Sequence, residues 1–454
     1  MTQVETFASQ VARVYVTRLV QFGCTVAVAF LLARLLGPEG RGVYALLLLL
    51  PSTLFAIGQL GLPSAITYFA GGGRSLGSLV RAAVGLGAVM AGGLLLLSLI
   101  ALPQLQPILF GAAPLDLLRV AVLALPIQLA ATFFGSMLWG RQLVRPYTWV
   151  LAAQSLAWLA AVVGVVGVAD LGVAGALGSY LVVTAAGALA IVILVVRRSA
   201  LEDAEARVPA SAEAVARAER RPVQVGDLLG YGLRLYPAGV ATFLSYRADL
   251  FLLSAMVGDA AAIGLYAMAV SLAEITFQVP DSVATLFYPR VAGSSRAEAD
   301  RMAPATARMT LLITLLATLA LLPVAWLAIR LVLPGFDGSF LPFVILLPGT
   351  VALGLSKVLS GYISGLGRPG PVSAIAAAAL GLNLACNVIL IPPLGIVGAA
   401  LSSLVSYTAH ALLTIRLASR LSGAPFRDFV TPGGAEARRL RDRLTGLRGA
   451  SRAG

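Results

Sequence analysis

The clearest chemical pattern in the chain lies between positions 271 and 285. On a helix turning 100° per residue, Glu274, Gln278 and Asp281 fall within about 60° of arc, and Ser271 and Thr285 join the same face. A carboxylate in apolar surroundings is poorly solvated, so it can exchange a proton or hold a sodium ion. Glu274 and Asp281, with Asp249 upstream, are the expected ion-coupling residues. Pro280 sits inside the stripe and should kink the helix, because it has no N–H and its ring crowds the carbonyl four residues back.

Basic side chains supply the complementary chemistry. Arg18, Gln21 and Thr25 share about 60° of arc, with Arg18 roughly 10 Å in from the expected cytoplasmic end of its helix. Arg234 has a similar depth and Arg247 lies further out. Arginine presents paired donors in a planar fork that matches a phosphate group. Arg18, Arg234, Arg247, Gln21, Gln278 and Lys357 therefore form the expected substrate-binding set for a pyrophosphate. Structural roles compete with this one. Arg247 and Asp249 can bridge neighbouring helices, and Arg18, Arg234 and Lys357 can extend to lipid headgroups. Asn383 and Asn387, four residues apart on one helical face, are expected to bind helices together. His410 is the only histidine, and Cys24 and Cys386 the only cysteines, so a histidine triad or a metal cluster has no material. No catalytic residue, metal ligand or cofactor is expected, beyond proton or sodium coupling.

The elements that must position these groups follow from composition. Of 454 residues, 59% are hydrophobic and only 12% charged, about half the usual share for a soluble domain. The expected class is an all-α polytopic membrane protein. Runs of about 20 apolar residues, the length that crosses a bilayer core, mark twelve transmembrane helices. Their approximate spans are 11–35, 43–69, 80–102, 116–138, 147–168, 173–196, 228–257, 262–289, 304–333, 341–365, 372–391 and 395–418. No cleavable signal peptide is expected.

Charge orients the spans. The net charge of +13 would suggest nucleic acid in a soluble protein, but topology absorbs it. With both termini cytoplasmic, 24 of the 33 basic residues fall in cytoplasmic segments and four (Arg34, Arg41, Arg119, Arg330) in outer ones. No nucleic-acid partner is expected. The domains are an N-terminal six-helix bundle (1–196), a charged cytoplasmic linker (197–227), a C-terminal six-helix bundle (228–420) and a basic cytoplasmic tail (421–454). The tail's ARRLRDRLTGLR stretch could lie on anionic headgroups.

The two bundles are repeats. Gly42-Val43-Tyr44-Ala45 matches Gly264-Leu265-Tyr266-Ala267 at an offset of 222. Arg145-Pro146 matches Arg368-Pro369, and LGVAGAL at 171–177 matches LGIVGAA at 394–400, both at 223. Six crossings per repeat return the chain to the same side, so the repeats are parallel and related by an axis along the membrane normal. Transporters built this way alternate access between repeats.

The run ARLLGPEGRGVYALLLLLPSTLFAIGQLGLPSAITYFAG resembles the start of polysaccharide flippases of the multidrug/oligosaccharidyl-lipid/polysaccharide exporter superfamily. The run SYRADLFLLSAMVGDAAAIGLYAMAVSLAEITFQVPDSVATLFYPRVAG resembles their seventh and eighth helices. The resemblance covers most of residues 10–420. It implies a V-shaped pair of six-helix bundles around a central cavity in the bacterial cytoplasmic membrane. It also implies flipping of an undecaprenyl-pyrophosphate-linked oligosaccharide to the outer leaflet for surface polysaccharide synthesis. Glycan polymerase or glycosyltransferases would be the partners. A multidrug or cation antiporter of the same superfamily is the first alternative, and several buried arginines disfavour it. A peptidoglycan-precursor flippase is the second; such proteins often carry two further helices, for which residues after 420 leave no room. An enzyme is not expected: the longest outer segment, 103–115, holds no acid, base or histidine.

Overall fold

The computed structural model describes residues 7–207 and 222–431, with side chains from residue 17 onward except at 203, 205–207, 234, 235 and 238. Most of the expected basic tail, its Arg-rich stretch included, and the middle of the expected linker lie outside the described residues.

The described chain is helical, and its breaks fall where the backbone chemistry asks for them. Helix α1 (Phe7–Gly58) is interrupted at Gly37, whose φ of 66° is a left-handed value that glycine adopts without a Cβ clash. Pro38 follows and removes a donor from the next helical segment. Then come α2 (Leu62–Gly71), α3 (Leu76–Leu109), α4 (Leu115–Ala121), α5 (Ala124–Gly140), α6 (Val144–Ala161) and α7 (Gly172–Arg207). A π-helical stretch, Val162–Val168, extends α6. The second half holds α8 (Val225–Met256), α9 (Ala260–Glu274), α10 (Gln278–Ala292), α11 (Arg296–Val332), α12 (Phe340–Gly365), α13 (Pro369–Leu394), α14 (Ile396–Ser422) and the short α15 (Arg427–Val430).

Among the described residues, ten segments are long and apolar enough to cross a membrane. The first, Thr17–Gly58, has 42 residues, about 63 Å of helix, and the break at Gly37 divides it into two crossings. Helix α8, with 32 residues, has the length of a crossing but is not among these ten. Large apolar side chains such as Leu96, Ile100, Leu189, Leu319 and Ile389 are exposed along these helices, as lipid-facing positions should be. The chain is a multi-pass helical membrane protein.

Two boundaries differ from the sequence reading. Helix α3 runs on to Leu109, so the expected outer segment 103–115 is mostly helix. Helix α7 continues to Arg207, into the expected linker from residue 197. The reason is propensity: RRSALEDAEAR is built of Ala, Leu, Glu and Arg, which favour helix whether or not lipid surrounds them.

Packing groups the chain into two compact units. The first comprises Met1–Met268, Ala328–Ser339 and Ile391–Ile396; the second comprises Ala269–Leu327, Phe340–Leu390 and Val397–Gly454. In the first unit, Leu62, Ile66, Leu79, Leu129, Phe133 and Met137 form the main core, with Leu228 of α8 buried against it. Here α8 lies against α2, with the Tyr231 and Tyr68 rings stacked 4.7 Å apart. In the second unit, Phe287, Val291, Leu359, Tyr362 and Ile363 are buried together with Phe429 of α15.

The sequence repeat is realised as a reciprocal contact inside the first unit. A Cβ on Gly42 would stand 1.8 Å from the carbonyl oxygen of Ala260, and one on Gly264 would stand 1.9 Å from that of Pro38. Pro38 and Ala260, like Gly42 and Gly264, are 222 residues apart. The same surface is thus used twice, as a two-fold contact requires. Only glycine at both positions lets the two backbones approach this closely.

Candidate functional site

In the first unit, Arg18 is exposed on α1 and Gln21 is half-buried, its amide donating to the Thr148 carbonyl at 3.5 Å. Arg234 lies on α8, and its side chain is outside the described residues. Arg247, also on α8, is close enough to Arg41 for the two like charges to act on each other. The Arg41 guanidinium lies 5.9 Å from the centre of the Tyr44 ring. From the sequence, Arg41 counts only as a basic residue of an outer segment; the fold brings it within electrostatic range of a candidate phosphate ligand.

Asp249 is 2% exposed. Its carboxylate accepts from the Tyr266 hydroxyl and, at 2.9 Å, from the Leu250 N–H. Tyr266 is the repeat counterpart of Tyr44. Two donors from its own neighbourhood satisfy much of what a buried carboxylate needs.

The remaining candidates lie in the second unit. The helix expected at 262–289 breaks into α9, a 3-10 turn at Ile275–Phe277, and α10. The turn ends three residues before Pro280 and contains Thr276, whose carbonyl the proline ring crowds. Gln278, Asp281 and Thr285 are exposed on the face that also carries half-buried Ser271 and Glu274. Lys357 on α12 meets this face. Its Nζ donates to Asp281 Oδ1 at 2.9 Å and lies 3.9 Å from the centre of the Phe277 ring. One expected substrate ligand and one expected coupling residue are therefore each other's partners. Asn383 and Asn387 are buried: Asn387 donates to Asn383 at 2.9 Å, and Asn383 donates to Ser406 of α14 at 3.1 Å. They bind helices together, as their spacing indicates.

Two features have no sequence forerunner. Arg141 donates to the carbonyls of Ala70 (2.9 Å) and Arg74 (2.6 Å) and to Glu202 Oε2 at 3.0 Å, closing the ends of α2, α5 and α7 together. The helix-favouring composition of 197–207 was the available signal, since a helical continuation of α7 is what brings Glu202 within reach. The second feature is a cavity of about 540 Å³ in the second unit, lined by Leu311, Leu315, Val351, Ile415, Phe426 and Val430 among others. None of the expected site residues lines it. Among the described residues, no three His, Cys, Asp or Glu side chains are grouped so as to hold a metal ion.

No protein-family model matches the chain, and no curated protein does. Solved structures do. The lipid II flippase MurJ in an inward closed conformation superposes with a TM-score of 0.66 at 14% identity, covering 91% of this chain and 89% of the flippase. The outward-facing conformation of a multidrug resistance MATE family transporter of the MOP superfamily gives 0.60 at 13% identity, covering 92% and 97%. An inward-facing conformation of such a transporter gives 0.55 at 15% identity, covering 89% and 96%. The chain has the fold that these flippase and multidrug-transporter structures share.

Proposed function

We propose that the chain moves a lipid-linked oligosaccharide, carried on undecaprenyl pyrophosphate, from the inner to the outer leaflet of the cytoplasmic membrane for surface polysaccharide synthesis. It does so by alternating access. The fold is common to a lipid II flippase and to multidrug transporters, so the choice rests on the charges. The observation that carries it is how the intramembrane charges are arranged. Asp249 is buried against Tyr266, and Lys357 holds a positive charge beside Asp281, which makes both carboxylates poor receivers of a cationic drug. Arg18 is exposed, and Arg247 and Arg41 stand within electrostatic range of each other. Guanidinium groups favour an anion, and their paired donors match a pyrophosphate.

In this reading Arg18 and Arg234 take the pyrophosphate from the cytoplasmic side, and Arg247 holds it further along. Glu274 is the coupling carboxylate for a proton or sodium ion. The test is replacement of Arg18 and Arg234 together by Gln. Export of the surface glycan should stop while the protein is still made and inserted, and lipid-linked oligosaccharide should accumulate inside. Normal export by the double variant would reject the assignment. Transport that ignores both ion gradients and the Glu274→Gln change would reject the coupling role.

A further inference from the structure

The pairing of Lys357 with Asp281 has a particular form. The ammonium touches one carboxylate oxygen at 2.9 Å, and the same ammonium sits 3.9 Å from the centre of the Phe277 ring. Phe277 is buried on the 3-10 turn, one helical turn before Asp281. The backbones that carry the three groups are held close. A Cβ on Gly354 would lie 2.6 Å from Pro280 Cγ, and one on Gly365 would lie 2.8 Å from Val291 Cγ1, so α10 and α12 pack through glycine. The position of the ammonium is thus preset by the scaffold and by the ring. It does not depend on the carboxylate alone.

The carboxylate is the weaker of these attachments. Asp281 is 54% exposed and Lys357 21%. The pair is open on the carboxylate side, so Asp281 can leave at modest cost. The contact to Phe277 is independent of Asp281 and stays in place if the carboxylate swings away. An ammonium is also a compact charge with three rotatable donors, so it can change acceptors without rebuilding a planar fork. Lys357 is the only lysine in the chain, against 32 arginines. Coulomb attraction scales with the charge of the partner. Asp281 brings one negative charge, whereas a diphosphate brings two or more.

We propose that Lys357 is an exchangeable anion site: Asp281 occupies it at rest, and the diphosphate of a lipid-linked substrate displaces Asp281 from it. This rests on the reading of the substrate as an anionic lipid. It makes Asp281 an internal competitor that sets how strongly the anion is held, and makes Lys357 a determinant of selectivity for the diphosphate over an uncharged polyprenol.

The test is a binding cycle on the full chain in nanodiscs, with undecaprenyl diphosphate as probe and inorganic diphosphate and undecaprenol as comparison arms. Asp281→Asn removes the competitor and should tighten probe binding by about 1.5-fold to fivefold, the range set by breaking a half-exposed ion pair. Lys357→Gln should weaken binding, and in the K357Q background Asp281→Asn should change nothing. Asp281 is solvated enough to survive loss of its partner, and Lys357→Arg serves as a second variant that keeps the charge and the fold. A response of inorganic diphosphate to the same substitutions would assign the site to the diphosphate group itself; a response confined to the lipid-linked probe would assign it to the lipid-linked diphosphate. Both support the exchange. Tightening by Asp281→Asn that persists in the K357Q background is a general field effect and overturns it, as does an absence of tightening. Loss of binding in the Arg18 and Arg234 double variant is read separately, so failure of the proposed phosphate ligands is distinguishable from failure of the exchange. A probe that binds no form of the protein overturns both.

Discussion

Replacing Gly42 by Ala tests the reciprocal contact where the geometry leaves least room. The new Cβ would stand 1.8 Å from the Ala260 carbonyl oxygen, 2.8 Å from its carbon and 2.9 Å from the Gly264 nitrogen. A carbon rests about 3.3 Å from a carbonyl oxygen at closest. The two backbones must therefore separate by roughly 1.5 Å, since no flexible side chain stands there to move aside. Overpacking ordinarily costs about 1–3 kcal/mol, and a clash with backbone belongs at the upper end, about 3 kcal/mol. Gly264→Ala meets Pro38 in the same way, at 1.9 Å, and should cost a similar amount. One separation relieves both clashes, so the double variant should cost clearly less than the sum of the single ones. Gly23→Ala is the control. Nothing lies within 4 Å of its Cβ, and the change should gain up to about 1 kcal/mol of helix propensity. Equilibrium unfolding in a dodecyl sulfate titration, followed by tryptophan fluorescence, measures all four. Gly42→Ala as stable as wild type, with Gly23→Ala behaving as expected, would refute the close contact.

Other consequences are open to the same measurement. Tyr266→Phe removes a hydrogen bond to the buried Asp249 carboxylate and should cost about 1.5–3 kcal/mol; a change below about 0.5 kcal/mol would mean that the hydroxyl does not hold the charge. Asn383→Ala breaks its bonds with both Asn387 and Ser406 and should cost about 1–2 kcal/mol while leaving transport intact. A transport defect without a stability defect would instead make Asn383 a substrate ligand. For Arg141 and Glu202, whose side chains are each 11% exposed, a double-mutant cycle with Gln at each position should show a coupling of about 1–2 kcal/mol. Zero coupling would mean that Arg141 acts through contacts other than Glu202, its two carbonyl bonds among them.

Much of the architecture was legible because it depends on local quantities. Apolar run length marks a crossing, and the gap between the expected spans 11–35 and 43–69 holds the break at Gly37. A fixed offset between Gly42 and Gly264 marks a repeat, which the structure turns into mutual packing. Periodicity also placed Glu274, Gln278 and Asp281 on one face, and Asn383 with Asn387 on another. It could not say which helix that face would meet. The partner of Asp281 is 76 residues away on α12, and that of Arg141 is 61 residues away on α7. Such pairings are set by tertiary packing, and a single chain carries no local trace of them. The same limit separates Arg41 from Arg247: a basic residue of an outer segment looks solvated until the fold brings α8 within range. Residues 197–207 were read as linker because charge density suggested solvent, yet helix propensity persists outside the bilayer.

The most direct measurement is leaflet exchange in vesicles reconstituted with the pure protein. Polyprenyl-diphosphate-linked oligosaccharide is placed in the inner leaflet, and its arrival outside is read by a sugar-cleaving enzyme that cannot enter. The expected result is movement that requires this chain, stops in the Arg18 and Arg234 double variant, and is absent for a cationic dye supplied in its place. Export of the dye without movement of the lipid-linked sugar would contradict the reading and make the chain a cation exporter.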